Sequence, residues 1–273
     1  ALDMADQLRA IAEQQQGQAH YFPHEARIGL SSVGRIINDT IVSLLTTGRS
    51  QTALTLQGAV GMLTDALGPD HPHTLNTRHN LALAHQDAGH LSTALDMHQA
   101  LLTDITRILG PNHPDTLTAR SNLAGAHRQA GHVSKAIAMY EALLADRTRA
   151  LGPNHPGTLT TRSDLVGTHL EAGHVSTAIA MHQALLPDMT RILGPNHPRT
   201  LTTRSNLAHA YQAAGNVSTA IAMHEALLTD ITRILGPNHP RTLTTRSDLA
   251  TAHQAAGHVS TAIAMHQALL PDM

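Results

Sequence analysis

Between Asp115 and Ala130, the apolar residues Leu117, Leu123, Ala124, Ala126 and Ala130 recur at helical spacing, with His127 beside them. A second run, Val133–Ala150, carries Ala136, Ile137, Met139, Tyr140, Leu143 and Leu144 on one side. Gly131 separates the two and suits the left-handed position after a helix C-terminus. Ahead of the first run, Leu109-Gly110-Pro111-Asn112-His113-Pro114 reads as a turn: Asn112 can cap with its side chain and Pro114 suits the first helical turn. The pattern predicts a hairpin of two helices, each of about 17 residues or about 25 Å. Neither helix can bury its apolar face alone, so such units must stack.

The unit repeats. Leu-Gly-Pro-Asx-His-Pro begins at Leu67, Leu109, Leu151, Leu193 and Leu235, each 42 residues after the last. From Leu193 and from Leu235, 32 of 39 comparable positions are identical. Five units are therefore expected at 67–108, 109–150, 151–192, 193–234 and 235–273, the last one short. Residues 36–66 read as a degenerate first repeat, with Thr46-Thr47-Gly48 where later units have Gln-Ala-Gly. Residues 1–35 match nothing; Asp6–Gln15 could be a short helix, and Gln14–Gln18 reads as a linker. The expected fold is all-α, a right-handed α-solenoid of stacked helix-turn-helix repeats.

Composition narrows the function. Lys plus Arg is 18 against 20 for Asp plus Glu, which argues against nucleic acid and polybasic membrane contact. The absence of cysteine excludes disulfides, thiolate catalysis and Cys-based zinc sites, and fits a cytoplasmic protein. No apolar run approaches the roughly 18 residues of a membrane span, and the start lacks a signal-peptide pattern. With one Phe, three Tyr and no Trp, the core must be built of small and aliphatic side chains.

Asn122-Leu123-Ala124, Gln129-Ala130-Gly131, Lys135-Ala136-Ile137 and Leu151-Gly152-Pro153-Asn154-His155-Pro156 resemble a tetratricopeptide repeat of the long, 42-residue type. Such repeats are similar to those of kinesin light chains and of sensor arrays in bacterial and fungal signalling ATPases. The resemblance covers 36–273 and implies that the first helix of each unit lines a concave groove. Carried over by motif, the groove residues are Asn76, Asn80 and Gln86, then Asn122, Arg128 and Gln129, then Asp164 and Glu171. They continue with Asn206, His209 and Gln212, and end with Asp248 and Gln254. The asparagines matter most, because an amide both donates to and accepts from an extended peptide backbone. Serines stand where a carboxylate clamp would have Lys or Arg, and Asp87, Asp164, Glu171 and Asp248 make the groove neutral to mildly acidic. That suits a neutral or weakly basic segment.

Twenty-two histidines invite a metal reading, but most recur at four places in the unit, and both helical sets exchange with Tyr (Tyr211, Tyr140). They read as flat packing residues; nothing in the spacing supplies three converging ligands. Arg78, Arg120, Arg162, Arg204 and Arg246 are expected to pair with Asp104, Asp146, Asp188, Asp230 and Asp272 between antiparallel helices. Pro187 and Pro271 fall inside second helices, where a kink or early end near Leu186 is expected.

No phosphate loop, dinucleotide fingerprint or nucleophile elbow is present, so no catalysis and no cofactor are expected. The reading is a non-catalytic scaffold that binds a protein or peptide, the sensor or interaction array of a larger signalling protein. That the chain is truncated is expected from its stop at Met273 inside a helix and its start without Met. The alternatives are a kinesin-light-chain-like cargo adaptor and a module that self-associates end to end through its short last repeat.

Overall fold

The structure is a computed structural model that describes residues 23–269; the expected helix at 6–15, the linker at 14–18, Pro271 and Asp272 lie outside them. The described residues form thirteen α-helices and no strand. They are α1 (Pro23–Thr46), α2 (Ser50–Leu54), α3 (Gln57–Leu67), α4 (Pro72–Asp87), α5 (Leu91–Leu109), α6 (Pro114–Gln129), α7 (Val133–Leu151), α8 (Pro156–Glu171), α9 (Val175–Leu193), α10 (Pro198–Ala213), α11 (Val217–Leu235), α12 (Pro240–Ala255) and α13 (Val259–Gln267). The chain divides into two compact units, residues 1–139 and 140–273, with the division inside α7.

In the second unit α8 packs on α9, α9 on α10, α10 on α11, α11 on α12 and α12 on α13. Each second helix is thus shared between the first helix of its own repeat and that of the next, as stacking of half-buried hairpins requires. The first unit follows the same rule through α4, α5 and α6. Its α1 starts well before position 36 and runs for 24 residues, and the second helix of that repeat is broken into α2 and α3. Gly34 makes the packing possible: a Cβ there would stand 3.0 Å from the His73 Cβ and 3.2 Å from Leu63.

Within each 42-residue unit, the first helix has 16 residues and a complete second helix 19. Gly131 ends α6 at φ +79°, and the amides of Gly131 and His132 bond the carbonyls of Arg128 and His127 at 3.0 and 2.9 Å. That double bond closes the frayed helix end, and a residue with a Cβ could not take the conformation without strain. At the other turn the cap is not the asparagine. His71, His113, His155, His197 and His239 are the N-caps, each accepting at Nδ1 from the amide two residues on at 3.1–3.2 Å. Pro follows at the first helical position in every case. A buried threonine locks the same turn: the hydroxyls of Thr116, Thr158 and Thr242 donate to the carbonyls of Gly110, Gly152 and Gly236 at 2.7, 2.8 and 2.7 Å.

Pro187 does not end its helix, which corrects the expectation of a stop near Leu186: α9 keeps the same 19 residues as α5 and α11. The ring is exposed, while Leu185 and Met189 on either side of it are buried and hold the segment in place. Gln183, whose carbonyl loses its amide partner, is exposed to water, and the Arg162 guanidinium donates to the neighbouring Ala184 carbonyl at 3.2 Å.

Candidate functional site

First helices of adjacent repeats lie side by side in each unit, and hydrogen bonds spanning 39–43 residues stitch them together. The Asn80 amide donates to Asn38 Oδ1 at 2.7 Å, exactly one 42-residue step earlier, so α1 is in register with the later repeats. Gln86 donates to Gln129 at 2.6 Å. In the second unit Arg199 donates to the Thr160 hydroxyl at 2.6 Å, and Arg241 to the Pro198 carbonyl at 2.9 Å and to Thr202. His209 Nε2 stands 3.5 Å from an Asp248 oxygen.

These bonds sort the predicted groove residues. Asn80, Gln86, Gln129, His209 and Asp248 are used between repeats. Arg128, Asp164 and Glu171 have interaction partners as well. Gln254 is exposed, and the Gln212 Oε1 is buried without a hydrogen bond. Asn76 and Asn122 line one cleft, between α4 and α6, of about 120 Å³. Asn206 lines another, between α8 and α10, of about 180 Å³. The side chains of Asn76, Asn122 and Asn206 make no hydrogen bond among the described residues, which leaves amide donors and acceptors open to a ligand.

Beyond Arg128, the pattern of the first helices does not single out Arg199 at the groove. Arg199 lines the second cleft, one helical turn before Thr202. The signal was in the turn: two residues past its histidine the repeats carry His73, Asp115, Gly157, Arg199 and Arg241, a variable position in an otherwise uniform motif.

Three of the five expected arginine–aspartate pairs are seen at bonding distance, and Asp272 of the last lies outside the described residues. Arg78–Asp104, Arg162–Asp188 and Arg204–Asp230 meet at 2.9, 2.7 and 2.8 Å between the two helices of a repeat. Hydrogen bonds from Arg162 and Arg204 hold the Asp188 and Asp230 carboxyls below the usual carboxylate range. These arginines are spent on the hairpin and do not form a free ladder for an anion.

Histidine replaces aromatic packing. His98, His182 and His224 are 1%, 2% and 0% exposed, in the positions matching Tyr140. Burial lowers all three, His98 and His182 to about 4, so they pack as neutral rings. The two remaining sets meet one another. Nδ1 atoms approach to 3.3 Å in His85–His90 and to 3.2 Å in His127–His132, His169–His174 and His253–His258. Where Tyr211 replaces the helical member, Asn216 replaces the other. Among the described residues no three His, Asp or Glu side chains come together as a metal would need.

This architecture is that of a tandem array of helical hairpins, the α-solenoid class. The tetratricopeptide repeat model matches residues 93–146, 176–229 and 202–271, more than half of the chain, and the chain belongs to that family. No curated protein matches it. Among solved structures it is similar to a kinesin-light-chain protein of nearly identical TPR-like repeats from Podosopora anserina: 27% identity, 73% of this chain and 94% of that one, TM-score 0.65. It also resembles a STAND signal-transduction ATPase with a tetratricopeptide repeat sensor from Pyrococcus horikoshii, at 13% identity and TM-score 0.63, covering 97% of this chain and 42% of that one. A Rap protein complexed with Competence and Sporulation Factor shares the fold at 8% identity and TM-score 0.60, over 96% of this chain and 75% of that one. No helix among the described residues is long and apolar enough to cross a membrane.

Proposed function

We propose that the chain is a non-catalytic protein- or peptide-binding array, the sensor or interaction part of a signalling protein, and that an extended segment of the ligand binds on the first-helix face, in the clefts within each unit. The observation that carries this reading is the pair Asn122 and Asn206. They occupy equivalent positions in two clefts, and their amides are unused by the fold. Stitching by Asn80, Gln86 and Arg199 supports it, because a groove whose walls are already cross-linked loses little freedom when a ligand enters. The family and its sensor-bearing neighbour point the same way.

The test selects dodecamer peptides from a random phage library on the full chain and measures their affinity by fluorescence polarisation. Asn122→Ala combined with Asn206→Ala should weaken the selected peptides about fivefold for each of the two clefts they occupy while helicity is unchanged, since each lost amide removes about 1 kcal/mol of hydrogen bonding. Unchanged affinity would place the binding surface elsewhere.

A further inference from the structure

The two clefts are the same cleft, two repeats apart, with the charge inverted. Asn76, His79, Asp115, Thr118 and Asn122 of the first unit correspond, at 84-residue steps, to Thr160, Ser163, Arg199, Thr202 and Asn206 of the second. The floors match too, Ile105 under one and Met189 under the other. In the first cleft Asp115 is the charged group, since burial lowers the pKa of His79 and keeps it neutral. In the second it is Arg199, and no carboxylate lines the cleft.

We propose that the cleft between α8 and α10 is a carboxylate-accepting subsite, with Arg199 as its specificity-determining residue, and that it takes an Asp or Glu side chain from an extended peptide. This rests on the groove reading above and names the chemistry of one position in it. A guanidinium has five N–H donors in a planar fork. Arg199 spends one of them on Thr160, and it has no ion-pair partner among the described residues, unlike Arg162 and Arg204 nearby in the same unit. The Asn206 amide, whose N–H donors are unused, stands in the same cleft and can complete a carboxylate's hydrogen bonds, while the Ser163 and Thr202 hydroxyls donate to the Leu159 and Pro198 carbonyls. A volume of about 180 Å³ is below the roughly 300–1,000 Å³ of small-molecule pockets, so the cleft suits one side chain and no whole cofactor. The equivalent cleft of the first unit, with Asp115, repels the same group. The neutral-to-acidic groove expected from the helix positions alone therefore does not extend to this cleft.

The experiment repeats the random-dodecamer selection on the full chain and on Arg199→Asp, which installs the residue that position 115 already carries in the same scaffold. Peptides selected on the parent should share an Asp or Glu at one position, and those selected on Arg199→Asp should replace it by Lys or Arg. A parent-selected peptide should lose at least about tenfold in affinity to Arg199→Asp and several-fold to Arg199→Gln, with circular dichroism unchanged. Asp115→Asn should leave its affinity within about twofold. Peptides that bind without an acidic position, or whose acidic position survives Arg199→Asp, overturn this proposal and leave the groove reading standing. A library that yields no binder overturns both.

Discussion

The N-terminal helices α1–α3 and the 42-residue repeats solve one packing problem with different side chains. Around α1 the core is aliphatic: Val33, Ile37, Ile41, Leu56 and Val60 pack with Leu81 and Ala84 of α4. No polar or charged side chain is buried there between Leu30 and Leu67. In the second unit the aliphatic clusters shrink to Leu159, Leu185 and Met189, or to Leu201, Leu227 and Ile231. Buried histidines and threonines fill the remaining space, among them His182, His224, Thr158 and Thr200. The fold tolerates either filling, but only the second makes stability depend on protonation.

The largest expected effect tests the aliphatic side. Ile41→Ala should cost about 2–5 kcal/mol, the usual loss for emptying a fully buried site, and cost the same at pH 7.5 and pH 5.5 because the buried cluster it belongs to is aliphatic. Denaturant midpoints at the two pH values check it.

The repeats should respond to acid. Their buried histidines have folded pKa values below the unfolded value of about 6.5, and for His98 and His182 the folded value is about 4. Between those values the unfolded chain binds more protons, so stability is complete above about pH 6.5 and falls as pH drops toward 4, by on the order of 1 kcal/mol per pH unit for each such residue. A midpoint that stays flat from pH 7.5 to 5.5 would refute this. His182→Tyr, which copies Tyr140, should remove one share of the slope; an unaltered slope would show that His182 is not among its sources.

The smallest effect belongs to the turns. His197→Ala should cost about 1 kcal/mol by removing the Nδ1 acceptor for the Arg199 amide, and His197→Asn should restore most of it. Equal midpoints for the alanine and asparagine variants would mean that the cap contributes nothing.

Much of this is legible in the sequence. The 42-residue step, the helix ends at Gly110 and Gly131, the proline starts and the arginine–aspartate pairs follow from local chemistry that recurs five times, so a single misleading residue cannot hide it. The candidate site was legible only in part. Asn122 and Asn206 line clefts, whereas Asn80 and Gln86 are spent on neighbours that no single repeat reveals. Arg199 is not legible from the repeat pattern because it lies in the turn-proximal end of its helix and reaches back 39 residues to Thr160.

From its residues alone, the chain is a row of helical hairpins with neutral histidines in aromatic positions. Those features depend on spacing, backbone conformation and side-chain type, which are local. Packing decided what remained: that Pro187 stays within a continuous helix, that histidine rather than asparagine caps the turns, and that two equivalent clefts carry opposite charges. The proline and the clefts depend on which groups of neighbouring helices come within reach, which only stacking sets, while the cap depends on the imidazole turning back onto the amide two residues on.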